Sequence, residues 1–222
     1  MILQNRELKN ALIKIGVPVA LQNMLTSLLN MIDTVMIGSL GDRAVAAVGL
    51  ANQWFFIMNL VLFGIVSGSS IYVSQYYGKG DMEGVRNTFR IKLWIGAFCA
   101  ILGGIVLSAL AVPLIQLYLR GESAGMDSAG TLEFGMQYLQ IMLLTIIPFA
   151  ITQVYASSLR ETGDSFKPMV AGVISVVVDI VMNYILIYGK FGMPVLGVRG
   201  AAIATVMARI TELLVVVIWA HK

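Results

Sequence analysis

Six continuous apolar runs, at residues 11–37, 44–77, 91–119, 131–158, 167–189 and 199–220, occupy nearly three quarters of this 222-residue chain. Each is at least as long as the roughly 20 residues that an α-helix needs to cross a bilayer core. In hydrocarbon every backbone N–H and C=O must be satisfied inside the protein, so a spanning segment is either a helix or a strand of a closed barrel. Barrel strands are short, about 10 residues, and alternate in polarity; these runs are long and unbroken. The chain therefore reads as an all-α membrane protein, a single six-helix transmembrane bundle over residues 1–222. Its composition agrees, with 58% hydrophobic and 12% charged residues, where a soluble domain carries about 25% charged. A soluble globular domain and a disordered chain are both excluded. The net charge of +3 does not mark a nucleic-acid partner, because the basic residues form short clusters between apolar runs rather than a stripe on one surface.

Those clusters set an orientation. Loops on one side hold Arg6, Lys9, Lys14, Lys79, Arg86, Arg90, Lys92, Arg160, Lys167 and Lys222, and the other side holds Arg43, Arg120, Lys190 and Arg199. The excess in short loops places both termini in the cytoplasm of a plasma (inner) membrane protein. The first run is too long and too polar for a cleavable signal segment, so it is expected to stay as a helix. The lone Cys99 excludes an intrachain disulfide. Turn chemistry punctuates the runs at Leu40-Gly41-Asp42-Arg43, Gly78-Lys79-Gly80-Asp81, Thr162-Gly163-Asp164 and Leu196-Gly197-Val198-Arg199. The first and last of these each precede an alanine-rich helix start, a weak sign of an internal two-helix repeat. Gly64/Gly68 and Gly200/Ala204/Ala208 have the small-xxx-small spacing that lets helices approach closely.

Polar side chains inside the runs are costly in hydrocarbon and therefore carry the information. With Gln22 at 0° and 100° per residue, Thr26, Asn30 and Asp33 fall at about 40°, 80° and 20°. The first run thus has one polar stripe ending in a carboxylate. An interhelical hydrogen-bond seam accounts for Gln22, Thr26 and Asn30, whereas an ionised Asp33 needs a cation, a donor network or water. The fifth run repeats the pattern with Ser175, Asp179 and Asn183 at i, i+4 and i+8. Asn183 and Asp33 sit at matching depths before their turns, so two carboxylates and an amide oxygen are expected to converge in one cavity. Such oxygen donors suit a proton or a small hard cation such as Na⁺. A packing hydrogen bond is the plainer role for Asp179 and Asn183. In the sixth run Thr205, Arg209 and Glu212 share a face, and Arg209 and Glu212 at i, i+3 are expected to pair. Gln53 and Tyr155 are further candidates to line the cavity, alongside Asn52, Asn59, the Ser67–Ser70 cluster and Gln153, each of which is plainly accounted for as ordinary packing. Pro18, which removes a backbone hydrogen bond below the polar stripe, is a candidate hinge, and Pro148 is expected to bend the fourth run.

No enzyme motif is present. The chain lacks a phosphate-binding glycine loop with GK[ST], an HExxH motif and a Ser/His/Asp set, since His221 is its only histidine. With one His and one Cys far apart in sequence, no metal site is expected. The 13 methionines offer an adaptable apolar wall, or simply core and lipid-facing surface.

Several fragments together carry a family resemblance: Pro18-x-x-x-Gln22-Asn23; Asn30-Met31-Ile32-Asp33-Thr34-Val35-Met36-Ile37-Gly38; Ala46-Ala47-Val48-Gly49-Leu50-Ala51; Leu159-Arg160-Glu161-Thr162-Gly163-Asp164; Asn183-Tyr184-x-Leu186-Ile187-x-Gly189; and Leu196-Gly197-Val198-x-Gly200-Ala201-Ala202. In this combination the chain resembles the amino-terminal six-helix lobe of the multidrug and toxic compound extrusion (MATE) family over nearly its whole length. The resemblance implies an antiporter that exports cationic amphipathic compounds against H⁺ or Na⁺, with no cofactor beyond the coupling ion. It implies that Asp33 is the central coupling residue, assisted by Asp179 and Asn183. At the earlier of those two positions the family often carries Asn, so Asp179 adds a charge. The family fold has twelve helices in two lobes, which implies a second six-helix lobe as a partner, covalent or as a separate chain, beside the lipid bilayer and organic cation substrates. A lipid-linked sugar flippase of the same superfamily would have a more basic cavity than this acidic one; a non-transporting scaffold or half-transporter partner is the third reading.

Overall fold

The computed structural model describes residues 6–122 and 128–221, with side chains described for 13–113, 130 and 132–221. Among the described residues seven α-helices follow one another: α1 (Arg6–Gly38), α2 (Asp42–Gly78), α3 (Met82–Glu122), α4 (Ser128–Met142), α5 (Ile146–Glu161), α6 (Phe166–Tyr188) and α7 (Val198–Ala220). They supply six candidate membrane spans, because α4 and α5 form one span joined by a single 3₁₀ turn at Leu143–Thr145. That break has a local cause. Pro148 has no N–H to give to the carbonyl four residues earlier, so the backbone tightens just before it. Pro18, by contrast, sits inside an uninterrupted α1.

Polar turns separate the spans, and two of them are built alike. Gly80 and Gly163 adopt positive φ (75° and 87°), and the aspartate after each caps the next helix. The Asp81 carboxylate accepts from the Gly84 N–H at 2.9 Å, and Asp164 accepts from the Lys167 N–H at 3.3 Å. Each thereby satisfies one of the donors left open at a helix start.

The α6–α7 hairpin is the centre of the lobe. Gly189 ends α6 in the left-handed conformation (φ 65°), and a Cβ there would lie 2.6 Å from the Val195 side chain. On α7, a Cβ at Gly200 would lie 2.6 Å from the Leu186 carbonyl oxygen. Ala201, Ala204 and Ala208 are buried beyond it. Lipid tails supply no hydrophobic drive between helices, so close backbone approach and dispersion hold this pair together. The Gly64/Gly68 spacing does not serve that purpose here, since both glycines face open space. A cluster of buried apolar residues including Ile37, Val48, Leu139, Ile187 and Val198 joins α1, α2, α4, α6 and α7 at one end. A second, with Leu62, Leu107 and Ile146, joins α2, α3 and α5.

Most of the described basic residues assigned to loops lie within helices, and two of them turn into the lobe. Lys92 is fully buried in α3, and Arg160 turns inward to donate to Gln22 Oε1 at 3.2 Å. Both sit on helix faces with internal polar partners, which a loop-by-loop count does not register. Arg6, Lys9, Arg120 and Lys222 lie outside the described side chains. Among the described basic residues, Lys14, Lys79, Arg86, Arg90 and Lys167 still outnumber Arg43, Lys190 and Arg199.

Candidate functional site

Polar stripes on α1 and α6 meet because α6 packs between α1 and α7. Their facing residues form a buried polar cluster. The Asn183 amide nitrogen donates to Asp33 Oδ1 at 2.9 Å and to Asp179 Oδ2 at 3.1 Å. One amide thus bridges carboxylates from two helices. Asp179 and Asn183 are each only 1% exposed, whereas Asp33 is partly open. Helical periodicity explains half of this geometry: Asp179 and Asn183 are i, i+4 neighbours on one face. The other half depends on α1 lying beside α6, where Gly172 lets the Gln22 side chain come close to the α6 backbone.

Asp179 Oδ1 and Asn183 Oδ1 are buried without a protein donor. Asn183 spends both of its bonds to the carboxylates through its nitrogen, leaving its carbonyl oxygen free. The site therefore presents acceptor oxygens with unfilled capacity, and a buried acceptor left so costs about 1–3 kcal/mol. A proton or a hard monovalent cation would fill that capacity. Among the described residues no group of three or more His, Cys, Asp or Glu is placed to hold a metal ion.

From α7, Thr205 faces Asp179, and the charge of Arg209 reaches both carboxylates. Arg209 is itself held by Glu212 at 2.8 Å and lies over the Phe149 ring at 5.4 Å. Tyr138 of α4, 4% exposed, faces the same acidic pair and donates to Asn52 Oδ1 at a long 3.5 Å. Sequence reasoning passed over Tyr138. Its only signal was a phenol inside an apolar run, one helical turn after Phe134 and Gly135.

Other expected site residues divide. Gln22 and Thr26 line a small polar cavity with Ser175, Arg209 and Glu212 below the acidic cluster. Thr26 donates to the Gln22 carbonyl at 2.9 Å. Asn30 is exposed on α1, and Gln53 is exposed on α2 away from the cluster. Tyr155 is not brought there at all. Its ring packs edge-on against Phe89 of α3 at 4.9 Å and beside His221 at 5.8 Å, because α5 turns that face toward α3.

Comparison with known proteins places this arrangement in a family. Residues 18–185 match the MatE family. A probable multidrug resistance protein NorM of Thermotoga maritima is 33% identical over 206 residues, covering 91% of this chain and 42% of that protein. Multidrug resistance protein PmpM of Pseudomonas aeruginosa is 30% identical over 217 residues, covering 97% and 44%. The solved structure of a multidrug resistance MATE family transporter of the MOP superfamily, in its outward-facing conformation, superposes with a TM-score of 0.81 at 25% identity, covering 95% of this chain and 44% of that one. This chain thus spans less than half the length of these relatives. With six apolar spans and that match, the chain belongs to the MatE family of membrane transporters.

Proposed function

We propose that this chain is one lobe of an ion-coupled multidrug exporter, that it releases cationic amphipathic compounds in exchange for H⁺ or Na⁺, and that Asp33, Asp179 and Asn183 form its coupling site. The observation that carries the reading is the single Asn183 amide bridging two carboxylates from different helices inside a membrane-spanning lobe. An ion arriving there fills the open acceptors and cancels charge, so it competes with an organic cation for the same carboxylates. Inward movement of one charge is worth about 2.3 kcal/mol per 100 mV of membrane potential, which is the energy such exchange can use. Pro18, on α1 below Asp33, is the hinge through which loading moves the helix. Alternating access requires a second six-helix lobe, covalent or as a partner chain. Both termini face the cytoplasm of the inner membrane, as the basic residues favour.

The direct test is ion release. Purified protein in weakly buffered detergent is mixed with an organic cation, and a pH indicator and a Na⁺-sensitive dye are followed. Release of one ion type on cation binding, lost in Asp33→Asn with the helical circular dichroism intact, is the expected result. Equal release from Asp33→Asn removes the coupling role.

A further inference from the structure

A second polar region lies toward the opposite end of the lobe, where the turns after α2 and α5 are found. A cleft of about 580 Å³ opens between α2 and α5, within the range of small-molecule sites. The two helices run in the same direction: Leu62 shares a core cluster with Ile146, and further along Ser70 meets Glu161. Their walls are two facing ladders. From the turn end inward, α2 presents Ser74, Ser70 and Ser67, and α5 presents Arg160, Ser157 and Gln153. Phe63 and Phe149 take over beyond them. Each wall thus passes from polar near the helix end to apolar deeper in. Polar side chains lining an open cleft in a membrane-spanning lobe are costly unless they are used.

The charges along this cleft do not cancel. Glu161 Oε1 takes the Lys92 ammonium at 2.7 Å and the Ser70 hydroxyl, while Lys92 also donates to Ser70 at 3.2 Å. That pair is closed upon itself, and Glu161 Oε2 is buried with no partner. Arg160 is left over. It belongs to none of the ion pairs among the described residues, and its guanidinium donates there only to Gln22 Oε1 at 3.2 Å. A guanidinium carries five N–H donors, so most of its capacity is unfilled. Among the described residues the Ser67 and Ser74 hydroxyls and the Gln153 amide also make no hydrogen bond. The open capacity is therefore one positive charge with a column of donors leading away from it, which calls for an anion rich in acceptor oxygens.

We propose that this cleft holds an anionic glycerophospholipid of the adjoining leaflet, with its phosphate at Arg160 and Ser74, its ester carbonyls beside Ser67 and Gln153, and an acyl chain along Phe63 and Phe149. Phosphate and ester oxygens only accept, which is what this column of donors requires. The planar guanidinium matches a phosphate in geometry as well as charge. Ser67 to Ser74 spans about 10 Å of helix axis, comparable to the polar interface of one leaflet, about 5–8 Å thick. Basic pockets between spanning helices suit anionic headgroups for the same reasons. Lys79, Arg86 and Arg90 are exposed at the same end of the lobe and do not line the cleft. They draw anionic lipid to this face, and Arg160 fixes one molecule in place.

The test uses the full chain in detergent micelles with an equimolar mixture of phosphatidylglycerol and phosphatidylcholine carrying the same acyl chains. Native mass spectrometry counts the lipid retained. Phosphatidylglycerol should be retained about fivefold over phosphatidylcholine, whose choline cation would sit beside Arg160. Arg160→Gln should abolish that preference. Ser67→Trp fills the cleft, leaves Arg160 in place and should lower retention at least fivefold; if Arg160→Gln does not fold, Ser67→Trp decides. Replacing Lys79, Arg86 and Arg90 together by Gln should leave the preference intact, and excess glycerol phosphate should not displace the lipid. Equal retention of the two lipids, or unchanged retention by Ser67→Trp, overturns the proposal. A preference lost in the triple variant but kept in Arg160→Gln assigns the lipid to the basic rim and also overturns it. Displacement by glycerol phosphate makes the cleft a site for soluble phosphate and overturns it likewise. Ion release at Asp33 is read separately and stands or falls independently of these outcomes.

Discussion

The Lys92–Glu161 pair is the most exacting test of how this lobe is held together. The two charges are 2.7 Å apart, and Lys92 is fully buried. At an effective dielectric of about 20, that separation corresponds to an attraction of about 6 kcal/mol. Removing two ions from water costs several kcal/mol each, so the net value of the pair is small. Removing one partner is different, because the survivor keeps its desolvation cost and loses its attraction. Glu161→Gln or Lys92→Met alone should therefore destabilise the folded lobe by about 3–5 kcal/mol. The double variant removes both charges and should lie within about 1–2 kcal/mol of the parent, less destabilised than either single change. Reversible SDS-induced unfolding in mixed micelles, followed by circular dichroism, measures all four proteins as a double-mutant cycle. Single variants costing under about 1 kcal/mol, or a double variant equal to the sum of the singles, would refute the view that this pair is a desolvated ion pair joining α3 to α5.

Further expectations concern the acidic cluster, the hairpin and the hinge. Asn183→Leu removes both bridging bonds and leaves two close carboxylates without their shared donor, so ion-driven dye flux in proteoliposomes should fall at least tenfold; flux within twofold of the parent would exclude the bridge from function. Gly200→Leu forces a side chain against the Leu186 backbone and should cost about 1–3 kcal/mol in the same SDS titration, whereas Gly64→Leu, facing open space, should cost less than about 0.5 kcal/mol. Pro18→Ala restores a backbone bond in α1 and should slow hydrogen exchange around residues 14–22 and reduce flux; unchanged exchange and flux would remove the hinge.

Much of this protein was legible before any tertiary structure. Apolar length alone determined the six spans, since hydrocarbon leaves a continuous segment no other way to satisfy its backbone. Helical periodicity determined that Gln22, Thr26 and Asp33 share a face, and that Asp179 sits beside Asn183. Matching depth on two parallel helices was enough to expect the cluster that the Asn183 amide joins. What periodicity does not contain is which helix lies beside which. Tyr138 is buried near enough to feel the charge of the acidic pair, while Tyr155 packs on Phe89 because α5 turns that face toward α3. Lys92 was counted as a loop cation because its partners, Ser70 and Glu161, are 22 and 69 residues away. The serines of α2 individually resembled ordinary packing residues, and only the facing α5 ladder makes them the wall of a cleft. Local polarity and spacing are properties of one helix and are written in its residues. The closing of one carboxylate on another helix's lysine, or the leaving open of its second oxygen, is decided by helix packing in three dimensions.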